Sequence, residues 1–216
     1  MWVDDTITAF ENQQFVVELK LLKSPVGIKM LARNLLFVIF IVWGSVPSAL
    51  ATTNIDTIME QLAEIDANVL LMRHAIAPGF GDPDNFVIKQ CKTQRNLDLI
   101  GRNQAIALGQ KLRQASIAID KVYSSYWCRC LETAKLLQLG EVEAFAGLNS
   151  FFEEHADRNQ TLSLLQDKFA SLAQNGLTLM VTHQVVIQAV TGIGVSSGGF
   201  VAYNSRTGKA LQVAIE

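Results

Sequence analysis

The stretch VLLMRHAIAPG, Val69 to Gly79, decides how this chain is read. Four apolar residues in succession, closed off by Pro78 and Gly79, predict an interior strand of a mostly parallel sheet. The run ends in Arg73 and His74. In open α/β sheets ligands gather beyond the carboxyl ends of the strands, so a guanidinium and an imidazole at that point are candidates for chemistry.

Working outward, the same arrangement recurs twice. Upstream, Ile55, Ile58, Met59, Leu62 and Ile65 follow a helical period within Asn54 to Asp66. Downstream, Pro78 to Lys92 reads as a loop punctuated by Gly79, Gly81 and Pro83. A helix is expected over Gly101 to Gln114, a short strand over Val122 to Ser125 and a second helix over Arg129 to Leu139. A brief strand at Ala144 and Phe145 leads into an irregular piece containing Phe151, Phe152, Glu153 and Glu154. Thr161 to Leu172 is again helical. LTLMVT, Leu177 to Thr182, is a further buried strand; it ends in His183 and precedes a helix over Val185 to Val190. Phe200 to Tyr203 and Ala210 to Ile215 close the chain as a hairpin around a turn containing Gly208. Alternating strands and helices predict an α/β three-layer sandwich with a mostly parallel central sheet. Its strand ends would bring Arg73, His74, Arg129 and His183 to one edge.

The chain has 216 residues, half of them hydrophobic, which is enough for a sizeable core. A net charge of −2 recruits neither nucleic acid nor an anionic membrane surface, so any bound anion must be held locally. Leu35 to Trp43 (LLFVIFIVW) is entirely apolar, preceded by Lys29 and Arg33 and followed by small residues at Ala49 and Ala51. That is the layout of a secretory signal peptide over residues 30–51. Because residues 35–51 carry no charge, an uncleaved signal anchor is the alternative, and only then would the protein meet a membrane. Both readings export a domain of residues 52–216 to the periplasm or the exterior. Residues 1–29 read as a start-site artefact, with Met30 the true start, or as a short cytoplasmic tail. In an oxidising compartment Cys91, Cys128 and Cys130 permit a disulfide; Cys128 and Cys130 lack bonding geometry with each other, so a bridge would join Cys91 to one of them. Asp82 and Asp84, beside Gly and Pro, read as turn-supporting carboxylates.

Two guanidiniums and two imidazoles around one cavity suit a phosphoryl group. The fork of an arginine matches phosphate geometry, an unprotonated imidazole is a nucleophile, and a second imidazole stabilises developing charge. No metal or other cofactor is needed for that chemistry. LLMRHA, VYSSYWCRCLETA (Val122 to Ala134), LMVTHQVVIQAVTG (Leu179 to Gly192) and RNLDLIGRNQA (Arg95 to Ala105) together resemble the histidine phosphatase superfamily, which includes the cofactor-dependent phosphoglycerate mutases. Ala75 stands where that family has Gly, a strained choice if the backbone there were left-handed. Tyr126 and Cys130 replace the family's Pro and Ala.

The resemblance implies a phosphoglycerate mutase-like fold and a phosphomonoester hydrolase acting through a phosphohistidine on His74. Arg73 and Arg129 would clamp the phosphate, with Arg95 lining the pocket, and His183 would donate in the transition state. Glu153 and Glu154 are the candidate proton donors by order along the chain, since Gln184 occupies the position where acid phosphatases of the family carry Asp. The partner would be a small-molecule phosphate ester or a phosphorylated macromolecule. A phosphomutase and a catalytically degenerate binder of a phosphorylated ligand are the alternatives.

Overall fold

The computed structural model describes residues 54–173 and 175–215. The signal segment and residues 1–29 lie outside the described residues. Six strands form one sheet in the order β3-β2-β4-β1-β5-β6. They are β1 (Val69–Arg73), β2 (Lys121–Ser124), β3 (Val142–Ala144), β4 (Thr178–Thr182), β5 (Phe200–Tyr203) and β6 (Ala210–Val213). The first four run parallel to one another, and β5 and β6 form the expected antiparallel hairpin at one edge.

Strand period sets the layers. In β1, Leu70 and Met72 pack with α1 (Asn54–Glu64), α2 (Leu99–Gln114) and α3 (Cys128–Leu137). Val69 and Leu71 point to the opposite face, where they meet α4 (Arg158–Ser171) and α5 (Gln184–Thr191). Both faces of the sheet are thus covered, which is why β1 and β4 read as unbroken apolar runs. The three-layer sandwich is the architecture expected from the sequence.

Local differences have local causes. Helix α2 starts two residues earlier than its apolar period suggests, because the Asp98 side chain caps it by accepting from the Gly101 N–H at 2.8 Å. That leaves Leu99 and Ile100 exposed in the first turn. Strand β3 forms at Val142–Ala144 rather than at Ala144 and Phe145, in register with β2 from Val122 to Ser124. Ala75 has a negative φ and is fully buried, so replacing the family's Gly costs no backbone strain here. Gly101 does need to be glycine: a Cβ there would lie 1.9 Å from the Ile76 carbonyl oxygen, so α2 sits directly against the segment that follows β1.

Candidate active site

The carboxyl ends of β1, β2 and β4 are held in step by the sheet ladder. Beyond the last paired residues, the His74 N–H donates to the Thr182 carbonyl and the Ser125 N–H to the Val181 carbonyl, each at 3.0 Å. Helix α3 is tied to β1 through one hydroxyl. Thr133 Oγ1 accepts from the Ala75 N–H at 3.0 Å and donates to the Arg129 carbonyl at 2.6 Å. The loop after β1 is fixed by Gln104, whose side chain accepts from the Ile76 N–H and donates to the Ser197 carbonyl, both at 2.9 Å.

These anchors shape a cavity of about 550 Å³. Arg73, His74, Arg95, Arg129 and His183 all line it, so the sequence-derived cations and imidazoles converge on one space. The two rings stand edge-on with centroids 5.5 Å apart. His74 Nδ1 donates to the Ala75 carbonyl at 2.7 Å, which fixes the tautomer and leaves the Nε2 lone pair bare. Burial first, then the nearby Arg129 charge, push the pKa of His74 from 6.5 down to about 3; the ring is neutral at physiological pH. His183 is held well below its ordinary value by the same two causes, burial before charge. Its Nε2 lies 3.0 Å from Ser125 Oγ, which in turn donates to Asn149 Oδ1 at 3.2 Å. Ser125 lies in the motif segment VYSSYWCRCLETA, where the sequence reading gives it no site role, and Asn149 does not stand out there.

Asp82 corrects the turn-carboxylate reading. Its side chain is only 3 % exposed and makes a two-pronged ion pair with Arg129, at 2.8 and 3.1 Å. It also accepts from Trp127 Nε1 and from the Arg95 N–H, each at 2.9 Å. Burial works to raise its pKa, but the bonds from Arg129, Arg95 and Trp127 prevail and hold it below the ordinary aspartate value. Charge balance was the signal available in the sequence: three arginines converging on one cavity call for a counter-ion, and Asp82 and Asp84 are the acids between Val69 and Arg95.

Glu153 and Glu154 are not brought into the cavity wall. They sit in a 3₁₀ turn, Phe152–Glu154, exposed and with left-handed φ values of 55° and 58°. The Glu153 carboxylate lies against Gly81, at the rim. Phe152 and Ser150 line the wall instead, together with Phe80, Val185 and Gln184. Of the three cysteines, Cys91 and Cys128 are bridged, and Cys130 is a buried free thiol whose pKa burial raises to about 12. It is no nucleophile.

The segment carrying most of this geometry, residues 69–152, matches the pattern of the histidine phosphatase superfamily (branch 1). The match spans less than half of the 216 residues, so over this segment the chain resembles that superfamily. Among curated proteins none matches it. Similar solved structures include the protein histidine phosphatase SixA complexed with tungstate, at 16% identity over 68% of this chain and 94% of that one, with a TM-score of 0.47. A phosphoserine phosphatase from Entamoeba histolytica is similar at 17% identity, 68% and 94% coverage and a TM-score of 0.48. A phosphoglycerate mutase from Plasmodium falciparum gives 15%, 68% and 87%, and 0.41. Arg73-His74, followed by Ala75, falls within the matched segment, and Thr182-His183 lies beyond it.

Proposed function

We propose that this protein is a phosphomonoesterase working through a phosphohistidine on His74. The observation carrying the proposal is the bond from His74 Nδ1 to the Ala75 carbonyl, in a cavity also lined by Arg73, Arg95, Arg129 and His183. It keeps Nε2 unprotonated and the ring in one orientation, as a nucleophile requires. Nε2 attacks phosphorus, the N–P bond forms and the bond from phosphorus to the ester oxygen breaks. Water then attacks phosphorus, the N–P bond breaks and inorganic phosphate leaves.

The arginines neutralise the phosphoryl oxygens throughout. An incoming phosphate dianion offsets the Arg129 charge that, after burial, keeps His183 neutral, so His183 takes up a proton and hydrogen-bonds the equatorial oxygens as charge builds there. With Glu153 and Glu154 at the rim, proton delivery to the leaving oxygen falls to solvent, which favours stabilised leaving groups. Phe80 and Phe152, edge-on at 5.3 Å, offer an apolar surface beside the cavity to whatever carries the phosphate, a small ester or a phosphorylated macromolecule. Export to the periplasm or exterior accords with the Cys91–Cys128 bridge, since disulfides persist in oxidising compartments.

His74→Asn should abolish turnover of an aryl phosphate, and brief incubation of the wild type with labelled substrate should trap an acid-labile, base-stable phosphoenzyme that the variant lacks. Wild-type rates equal to those of the variant would overturn the enzyme reading. Binding without turnover is the second reading. It is favoured by the absence of any carboxylate from the cavity wall among the described residues, and it would show as phosphate affinity with no hydrolysis.

A further inference from the structure

Two guanidiniums in the cavity are restrained in the same way. Arg129 gives Nη1 to Asp82 Oδ1 at 2.8 Å and to the Arg95 carbonyl at 3.2 Å, and gives Nη2 to Asp82 Oδ2 at 3.1 Å. Arg73 gives Nη1 to Gln184 Oε1 at 2.7 Å and to the Val195 carbonyl at 3.0 Å. In both residues Nε is buried and has no acceptor among the described residues. A guanidinium grips an oxyanion with two parallel N–H groups, and Nε with Nη2 is one edge able to do so. The protein therefore fills Nη1 and one Nη2 hydrogen of Arg129, and Nη1 of Arg73, which leaves Nε and the Nη2 hydrogen beside it in each arginine for something else.

We infer that Asp82 is a positioning residue of the phosphate clamp, holding the terminal nitrogens of Arg129 so that its Nε–Nη2 edge is presented to the phosphoryl group. The inference rests on the phosphate-site reading above and extends it to a residue that never touches substrate. A carboxylate on an arginine could be a competitor seated where phosphate belongs, but three observations oppose that. Asp82 is absent from the residues lining the cavity. Its side chain is nearly inaccessible, at 3 % exposure. It is also fastened by two donors besides Arg129, the indole of Trp127 and the Arg95 N–H, so displacing it would strand buried donors. Trp127 itself is fully buried and stacks on Phe86 with centroids 5.1 Å apart, which fixes the carboxylate from behind.

The sign of one measurement separates the alternatives. Asp82→Asn is nearly isosteric and removes a negative charge close to an anion site. Coulomb attraction alone, like release from a competitor, would make inorganic phosphate bind more tightly. Loss of positioning does the opposite: one of the clamp's charge-assisted contacts is forfeited, and the Kd for inorganic phosphate, read by titration calorimetry, should rise about ten- to a hundredfold. Trp127→Phe removes a bond to the same carboxylate without touching Arg129. It should lower the melting temperature and raise the phosphate Kd clearly less than Asp82→Asn does.

Tighter or unchanged phosphate binding in Asp82→Asn overturns the inference, as does an equal loss in Trp127→Phe, which would mean general loosening. Should Asp82→Asn fail to fold by circular dichroism, Asp82→Glu carries the test: it keeps the charge but displaces the guanidinium by a methylene, and it too must weaken phosphate. The comparison needs no turnover. A wild type that binds phosphate without hydrolysing ester counts against the phosphatase reading alone.

Discussion

Replacing Cys91 and Cys128 together by Ser tests whether the bridge holds the site as well as the fold. The half-cystines are 37 residues apart, and between them lie the loop bearing Arg95, all of α2 and strand β2. Closing a loop of that length removes about 13 cal/mol/K of chain entropy from the unfolded ensemble, or about 4 kcal/mol at 25 °C. For a domain of this size that corresponds to a fall of roughly 10 °C in Tm. The functional part follows from position. Cys128 immediately precedes Arg129, whose Nη1 reaches the Arg95 carbonyl, while Cys91 begins the 3₁₀ turn leading to Arg95. The bridge thus fastens one arginine-bearing segment to another. In calorimetry the double variant should melt about 10 °C lower, and at a temperature where it is fully folded its KM for an aryl phosphate should exceed the wild-type value. A drop under 2 °C would refute the entropic reasoning, and an unchanged KM would refute the claim that the bridge aligns the arginines.

Other outcomes follow from the same geometry. His74 and His183 are buried neutral, with pKa values far below the 6.5 they regain on unfolding. Between pH 6.5 and about 3 the unfolded chain binds more protons, so stability is complete above pH 6.5 and drains away on acidification; Tm should fall from pH 6.5 to 4, less steeply in His74→Asn. Gly101→Ala forces a methyl group against the Ile76 carbonyl and should cost about 3 kcal/mol, read by urea unfolding. Glu153→Gln and Glu154→Gln should change kcat by less than about twofold on alkyl and aryl phosphates alike; a loss confined to alkyl esters would restore a general acid to the rim.

Much of the arrangement was legible because it depends on short-range pattern. Val69 to Met72 and Leu179 to Val181 are apolar without interruption since both sheet faces are covered, and polar residues at the ends of such runs can only fall at the sheet edge. Arg73, His74, Arg129 and His183 converge for that reason. Asp82 escaped because its role is set by Arg129, 47 residues away, while its neighbours Gly81 and Pro83 carry the local signature of a turn. Glu153 and Glu154 follow the wall residues Ser150 and Phe152 in sequence, yet two consecutive left-handed residues turn the chain out at the rim. No pattern of residue types announces that conformation in a pair of glutamates.

The cavity's charges do not match those of the molecule that contains it. Three guanidiniums against the single buried carboxylate of Asp82 leave two positive charges inside, with both rings neutral, while the whole chain carries −2. Beyond a Debye length of about 8 Å the surroundings screen that interior from an approaching dianion. Ligands are therefore sorted at the doorway rather than drawn in from afar, and dilute buffer should accelerate their capture far less than the crowd of arginines suggests.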